Sequence, residues 1–215
     1  QAALDANTTA TNNVAVGVSA LGANTTGANN TALGKAALYT NTTADNNTAV
    51  GFQALYTSTG PANSAVGHNS LFNNTTGEQN VAIGKDALEA NTTASNSVAV
   101  GVEALKANTT GANNVAVGQG ALIANTTASN NVAVGTSAGD VITTGNQNVI
   151  VGNSCDPSAS GATNQIVMGY NGTGSGNGTI TVADGGTDST MTLGGTTWSA
   201  PSDIRLKEDI QDEEV

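Results

Sequence analysis

Asn13-Val14-Ala15-Val16-Gly17 is the phrase from which this chain is built. It returns with small changes, and its closing glycine falls at Gly17, Gly34, Gly51, Gly67, Gly84, Gly101, Gly118, Gly135, Gly152 and Gly169. Successive glycines stand 17 residues apart, except Gly51 and Gly67, which stand 16 apart. A fixed period this short marks a stacked repeat, whose units bury apolar surface only against their neighbours. The sequence predicts a solenoid over residues 1–169.

Inside the phrase, Val-Ala-Val is β-branched around a small residue and favours a strand. Both valines then point to one side and the alanine to the other. Which side lies inside the coil is open at this level. Four residues after the glycine comes leucine, at Leu21, Leu38, Leu55, Leu71, Leu88, Leu105 and Leu122, a second apolar column. Then comes Asn-Thr-Thr with Gly or Ala, a turn whose side chains can bond from coil to coil. Ala44, Ala94 and Ala128 replace glycine there, so that position does not require a positive φ. The strand-closing glycine is kept in all ten copies, which implies a left-handed backbone or an approach too close for a Cβ. The missing residue of the 16-residue interval aligns with the turn around Ser58-Thr59-Gly60-Pro61. Seventeen residues accommodate two short strands and two turns, and nine intervals make a rod on the order of 43 Å long. Valines and leucines of so thin a coil call for a further surface, and self-association supplies one.

Composition fits such a rod. Aromatic residues make up 3% and charged residues 10% of the 215, with 27 glycines. The formal net charge is −11, with five Lys and Arg in all, too few to neutralise phosphates, so nucleic acid is not an expected partner. One cysteine, Cys155, excludes an intrachain disulfide and is expected to pack as a small residue. No apolar run is long enough for a membrane helix, so membrane insertion is not expected. Gln1 opens directly into repeat material, as an internal fragment would. No metal-ligand spacing occurs, and Gly172-Thr173-Gly174-Ser175-Gly176 lacks the strand, helix and lysine of a phosphate cradle. Neither a metal nor a cofactor is expected.

After Gly152 the pattern fades. Residues 170–201 read as a Gly/Ser/Asn linker at 171–178 and two alternating strands joined through Asp184-Gly185-Gly186, with Trp198 burying its ring at the junction. Residues 202–215 turn charge-rich and helix-compatible. Among isolated residues, His68 reads as a surface variant. Asp86, Glu89 and Glu103 do not share one phase and read as solvated carboxylates, not as a glycan-cleaving pair. Tyr39 and Tyr56, one coil apart, can contact a sugar. The Asn-Thr-Thr triplets match the N-glycosylation sequon, but turn ladders explain them better.

Two features carry a family resemblance. The Asn-Val-Ala-Val-Gly phrase resembles the left-handed parallel β-roll heads of trimeric autotransporter adhesins. Its longer unit, with Ala-Leu and Asn-Thr-Thr-Gly, resembles the version found in bacteriophage tail fibres. Separately, Ser202-Asp203-Ile204-Arg205-Leu206-Lys207 resembles the opening of the endosialidase-type intramolecular chaperone, which trimerises a fibre and then cuts itself free. The resemblance implies an all-β, left-handed parallel β-roll or solenoid of 17-residue coils, homotrimeric, with a short β-rich C-terminal region and a charged helical tail. It implies Ser202 as nucleophile, Lys207 as its aid and scission at Pro201–Ser202: at most a single-turnover self-cleaving serine endopeptidase. A serine hydroxyl needs such a neighbouring base to become nucleophilic. Thirteen residues after Ser202 are only the start of such a domain, so activity in this chain is not expected.

The function that follows is a structural and adhesive segment of a tail fibre in the virion, a stiff spacer or receptor-contacting head. Its partners would be itself, other tail proteins, and a host surface glycan or protein. Alternatives are a trimeric adhesin on a bacterial surface, or an ice-binding solenoid using its threonines.

Overall fold

The computed structural model describes residues 2–186, 188–193 and 198–199. Every element is a strand: β1 (Val14–Val16), β2 (Thr31–Leu33), β3 (Thr48–Val50), β4 (Ser64–Val66), β5 (Val81–Ile83), β6 (Val98–Val100), β7 (Val115–Val117), β8 (Val132–Val134), β9 (Val149–Asn153), β10 (Ile166–Tyr170), β11 (Thr179–Ala183), β12 (Ser189–Thr192) and β13 (Trp198–Ser199). They form one sheet in strict sequence order. β1 to β11 pair in parallel, each residue facing its equivalent one coil away, as Ala99 faces Ala116. The chain is a parallel β-solenoid. Eleven stacked strands at the usual spacing make a rod about 48 Å long.

Each regular coil has one short strand, not two. The opposite wall, carrying the leucine, is not a strand, because its residues alternate in the sign of φ. In the coil after Gly17, Ser19 and Leu21 have φ of 59° and 48°. All seven periodic leucines lie between 48° and 53°, a region bulky residues avoid at about 1–2 kcal/mol each. They hold it because they are fully enclosed, and full burial of a leucine is worth about 1.5–3 kcal/mol. The leucine column therefore fills the coil and needs no outside partner.

The same enclosure settles the direction of the strand. The central alanines, Ala32 through Ala133, face inward at zero exposure, and the flanking residues face out. An alanine suits this place because the two walls nearly touch. The ten closing glycines meet both conditions inferred for them. Their φ runs from 127° to 140°, and a Cβ on Gly17 would stand 2.6 Å from the Gly34 carbonyl oxygen.

Asparagines line the turn end of the core, fully buried and bonded along the axis. Asn91 Nδ2 donates to Asn74 Oδ1 at 2.7 Å, while the Asn148 backbone N–H donates to Asn131 Oδ1 at 2.9 Å. The sequon asparagines Asn24, Asn41, Asn74, Asn91, Asn108 and Asn125 thus point inward. The Gly/Ala turn position has no positive φ, as expected. It nonetheless alternates: a Cβ at Gly27, Gly77, Gly111 or Gly145 would strike the carbonyl oxygen of the alanine one coil on. At Ala44 and Ala128 the turn instead directs its N–H to its own asparagine, 3.2 and 2.9 Å away.

The 16-residue coil keeps its strand register, Val50 opposite Val66, and takes up the deletion in the turn at Ser58-Thr59-Gly60-Pro61. Residues 171–178, read above as a linker, form the return of an eleventh, shorter coil. Ile180 stands beside Ile166, fourteen residues on, and Asn171 N–H donates to the Asn153 carbonyl. β12 and β13 then add antiparallel to β11. The Trp198 ring and the charged tail, 202–215, lie outside the described residues.

Candidate functional site

Two surfaces depart from what a bare rod requires. The first is the outer side of the sheet. The residues before the ten closing glycines form a column of Val16, Leu33, Val50, Val66, Ile83, Val100, Val117, Val134, Val151 and Met168, continued by Val182 beside Met168. None is polar, and most are between 36% and 55% exposed. An uninterrupted apolar stripe about 48 Å long is more than scattered surface residues amount to.

The second surface lies past the glycines, on the leucine wall. Positions one, two and five after the glycine vary from coil to coil, whereas the core columns hardly change. From Lys35 to Lys106 those positions gather three of the chain's five Lys and Arg, its one histidine and four of its six aromatic rings. Tyr39, Tyr56 and Phe72 occupy position five of successive coils and stack at 5.3 and 5.1 Å between centroids, 15° and 8° from parallel. Gly22 holds that position one coil earlier, and a Cβ there would sit 3.1 Å from the Tyr39 ring. Each ring gives its faces to its neighbours, so this is an internal ladder with outward edges. Phe52 and His68, at position one, stack at 5.3 Å, and the Lys35 ammonium lies 5.8 Å from the Phe52 centroid.

Beyond His68 the wall becomes ionic. Asp86, almost fully buried, has His68 Nδ1 at 3.6 Å, Lys85 Nζ at 3.5 Å and Lys106 Nζ at 3.8 Å. Lys106 also reaches Glu89 at 3.8 Å and Glu103 at 2.8 Å. The Glu103 hydrogen bond holds its ammonium above the ordinary lysine value, against the opposing effect of desolvation. The carboxylates read from sequence as solvated are therefore gathered by one lysine. Their phases differ, but positions two and five of adjacent coils meet in space. His68 is at the surface, as expected, yet it has partners on both sides.

Other expected residues fall as follows. Cys155 is buried in the inward alanine column, as a small packing residue. The first threonine of most turns donates its hydroxyl to the next coil, Thr75 to the Thr92 carbonyl at 2.8 Å and Thr109 to Thr126 at 2.9 Å. Asp156 replaces the leucine of its coil. Burial, then the neighbouring Asp140 carboxylate, pushes it up to about 6. Among the described residues no group of three or more His, Cys, Asp or Glu is placed to hold a metal ion. Ser202, Lys207 and the Pro201–Ser202 bond lie outside the described residues.

Set against protein-family models, curated proteins and solved structures, the chain matches none.

Proposed function

We propose that this chain is a structural and adhesive segment of a bacteriophage tail fibre, a stiff rod that works as a homotrimer. The apolar column on the sheet's outer side carries the reading. Eleven outward side chains without one polar residue expose surface that a second and third copy would cover, leaving the lysine-bearing wall free. The repeat phrase and Ser202-Asp203-Ile204-Arg205-Leu206-Lys207 support the fibre assignment by resemblance, with trimerisation followed by scission before Ser202 in the complete product.

Light scattering of the purified chain tests the assembly. The expected mass is three chains, and Val117→Asp with Val134→Asp should yield monomers of unchanged circular dichroism. A wild-type chain that stays monomeric at about 100 μM, far above the affinities of stable assemblies, would defeat the reading. For the scission, mass spectrometry of the full-length product should find an end at Pro201, absent in Ser202→Ala.

A further inference from the structure

We infer that the receptor-contact surface of the rod is the column Lys35, Phe52, His68 and Lys85, and that it takes an extended glycan bearing sparse acidic groups; this deepens the adhesive reading above and rests on it. The coil is built by columns that hardly vary, and a spacer needs nothing more. Variation is concentrated at outward positions of one wall, and among the described residues it supplies cations together with rings between Lys35 and Lys106. Repeat proteins place recognition on an invariant frame in this manner.

The ligand class follows from which groups meet solvent. Lys85 is 60% exposed beside an Asp86 side chain at 9%, and His68 is 49% exposed. Glu89 and Glu103 sit deeper, tied to Lys106. Among the described residues no carboxylate pairs with Lys35, whose charge rests over Phe52. The outer line is thus cation, ring, imidazole, cation, with Asp86 behind it holding Lys85 and His68, and Lys35 resting on the Phe52 ring. Three coil spacings separate its ends, about 14 Å along a flat wall, which suits a polymer laid along the axis better than a small molecule in a cleft. Phe52, 40% exposed, offers an apolar surface to the C–H side of a sugar. Between the two lysines it is the single apolar side chain; the same column continues beyond them as Val18 and Val102, 55% and 43% exposed.

The net charge of −11 limits how acidic the ligand can be. Screening at physiological salt acts over about 8 Å, so an isolated acidic group feels mainly the charges beside it, Lys35 without a carboxylate partner among the described residues and the exposed Lys85 with Asp86 behind it. A dense polyanion would also feel the rest of the molecule and be repelled.

Calorimetry on the purified chain should compare a uronic-acid oligosaccharide, a phosphorylated oligosaccharide, a neutral dextran oligosaccharide and a poly-glutamate peptide. The expected result is that an acidic oligosaccharide binds at least about tenfold tighter than dextran and poly-glutamate, and more weakly as salt rises from about 50 to 200 mM. Phe52→Ala, and Lys35→Ala with Lys85→Ala, should each weaken it at least about fivefold. Gln119→Ala, at the same position two coils beyond Lys85, should not. Failure of both acidic sugars to bind at millimolar concentration, parity with dextran, tighter binding of poly-glutamate, or indifference to all these variants would overturn the inference. Light scattering on the same samples separates the two readings. An assembled rod that binds no acidic glycan overturns this site alone, and a monomer that binds one upholds the site while defeating the assembly.

Discussion

The coil from Gly51 to Gly67 and the coil from Gly101 to Gly118 share a strand register, a leucine and a closing glycine, yet they are held by different means. The longer coil is held by its core columns. Asn108 Nδ2 reaches Asn91 Oδ1 at 3.1 Å and Asn114 Nδ2 reaches the Ala128 carbonyl at 2.7 Å, although the buried Asn108 Oδ1 receives no donor among the described residues. In the shorter coil the asparagine ladder is interrupted by Ser58, and the buried Asn47 Nδ2 just before it has no acceptor. Leaving such a donor unpaired costs about 1–3 kcal/mol. Every ring of the aromatic wall lies within one coil of that fault. Two aromatic stacks contribute about 0.5–1.5 kcal/mol each beyond buried area, enough to offset it. A solenoid tolerates a missing residue when side chains outside the core hold the register that core hydrogen bonds no longer hold.

The largest expected effect would show the two coils to be alike. Gly51→Ala and Gly101→Ala each push a Cβ into the next coil's glycine carbonyl, and both should cost about 2–4 kcal/mol in thermal unfolding. A much milder loss at Gly51 would mean that the short coil has relaxed its axial packing. Next, Tyr56→Ala removes both stacks and should cost about 2–3 kcal/mol, with faster amide exchange at residues 58–63. Ile123→Ala, at the same position in an unclamped coil, should cost about 1 kcal/mol or less. Equal losses would dissolve the distinction.

A subtler pair concerns the asparagines. Ser97 already occupies that column and accepts the Asn114 N–H at 3.3 Å. Asn47→Ser removes an orphaned donor and keeps an acceptor, so urea unfolding should find it neutral or stabilising by up to about 1 kcal/mol. Asn131→Ser forfeits the 2.8 Å bond to Gly145 and should destabilise by about 1 kcal/mol. The smallest effect lies at the other end of the rod. The folded value of Asp156, about 6, exceeds the ordinary 3.8, so its favourable contribution is present below pH 3.8 and lost as pH rises through 6. Asp156→Asn should raise the melting temperature at pH 7 by a degree or so and leave it unchanged at pH 3.5.

Much of this was legible because a repeat states its own alignment. The glycine interval gave the coil, the position of the deletion and the bonding of asparagines from coil to coil. Pattern could not show that leucine would sit at positive φ, since propensity argues against it and only enclosure in a narrow coil overrides that cost. The second strand was wrongly expected for the same reason. The ionic part of the wall was hidden because its members occupy different phases. Asp86, Glu89, Glu103 and Lys106 look unrelated along the chain and meet only once coils are stacked. The stretch 171–178 has a linker's composition, but its backbone bonds to Asn153 and Asp156 make it a coil.

The alternation of Gly and Ala in the turn has a consequence for how such a rod changes length. Where glycine is followed one coil on by alanine, the translational unit is two coils, 34 residues, and the order slips once, at Gly60 and Gly77, beside the shortened coil. Excising residues 101–134 would bring like neighbours together again, Ala94 before Gly145. Excising residues 101–117 would set Ala94 before Ala128, a methyl group in the place where glycine spares the next alanine's carbonyl oxygen. Growth and loss by pairs is written into the spacing of a single missing carbon.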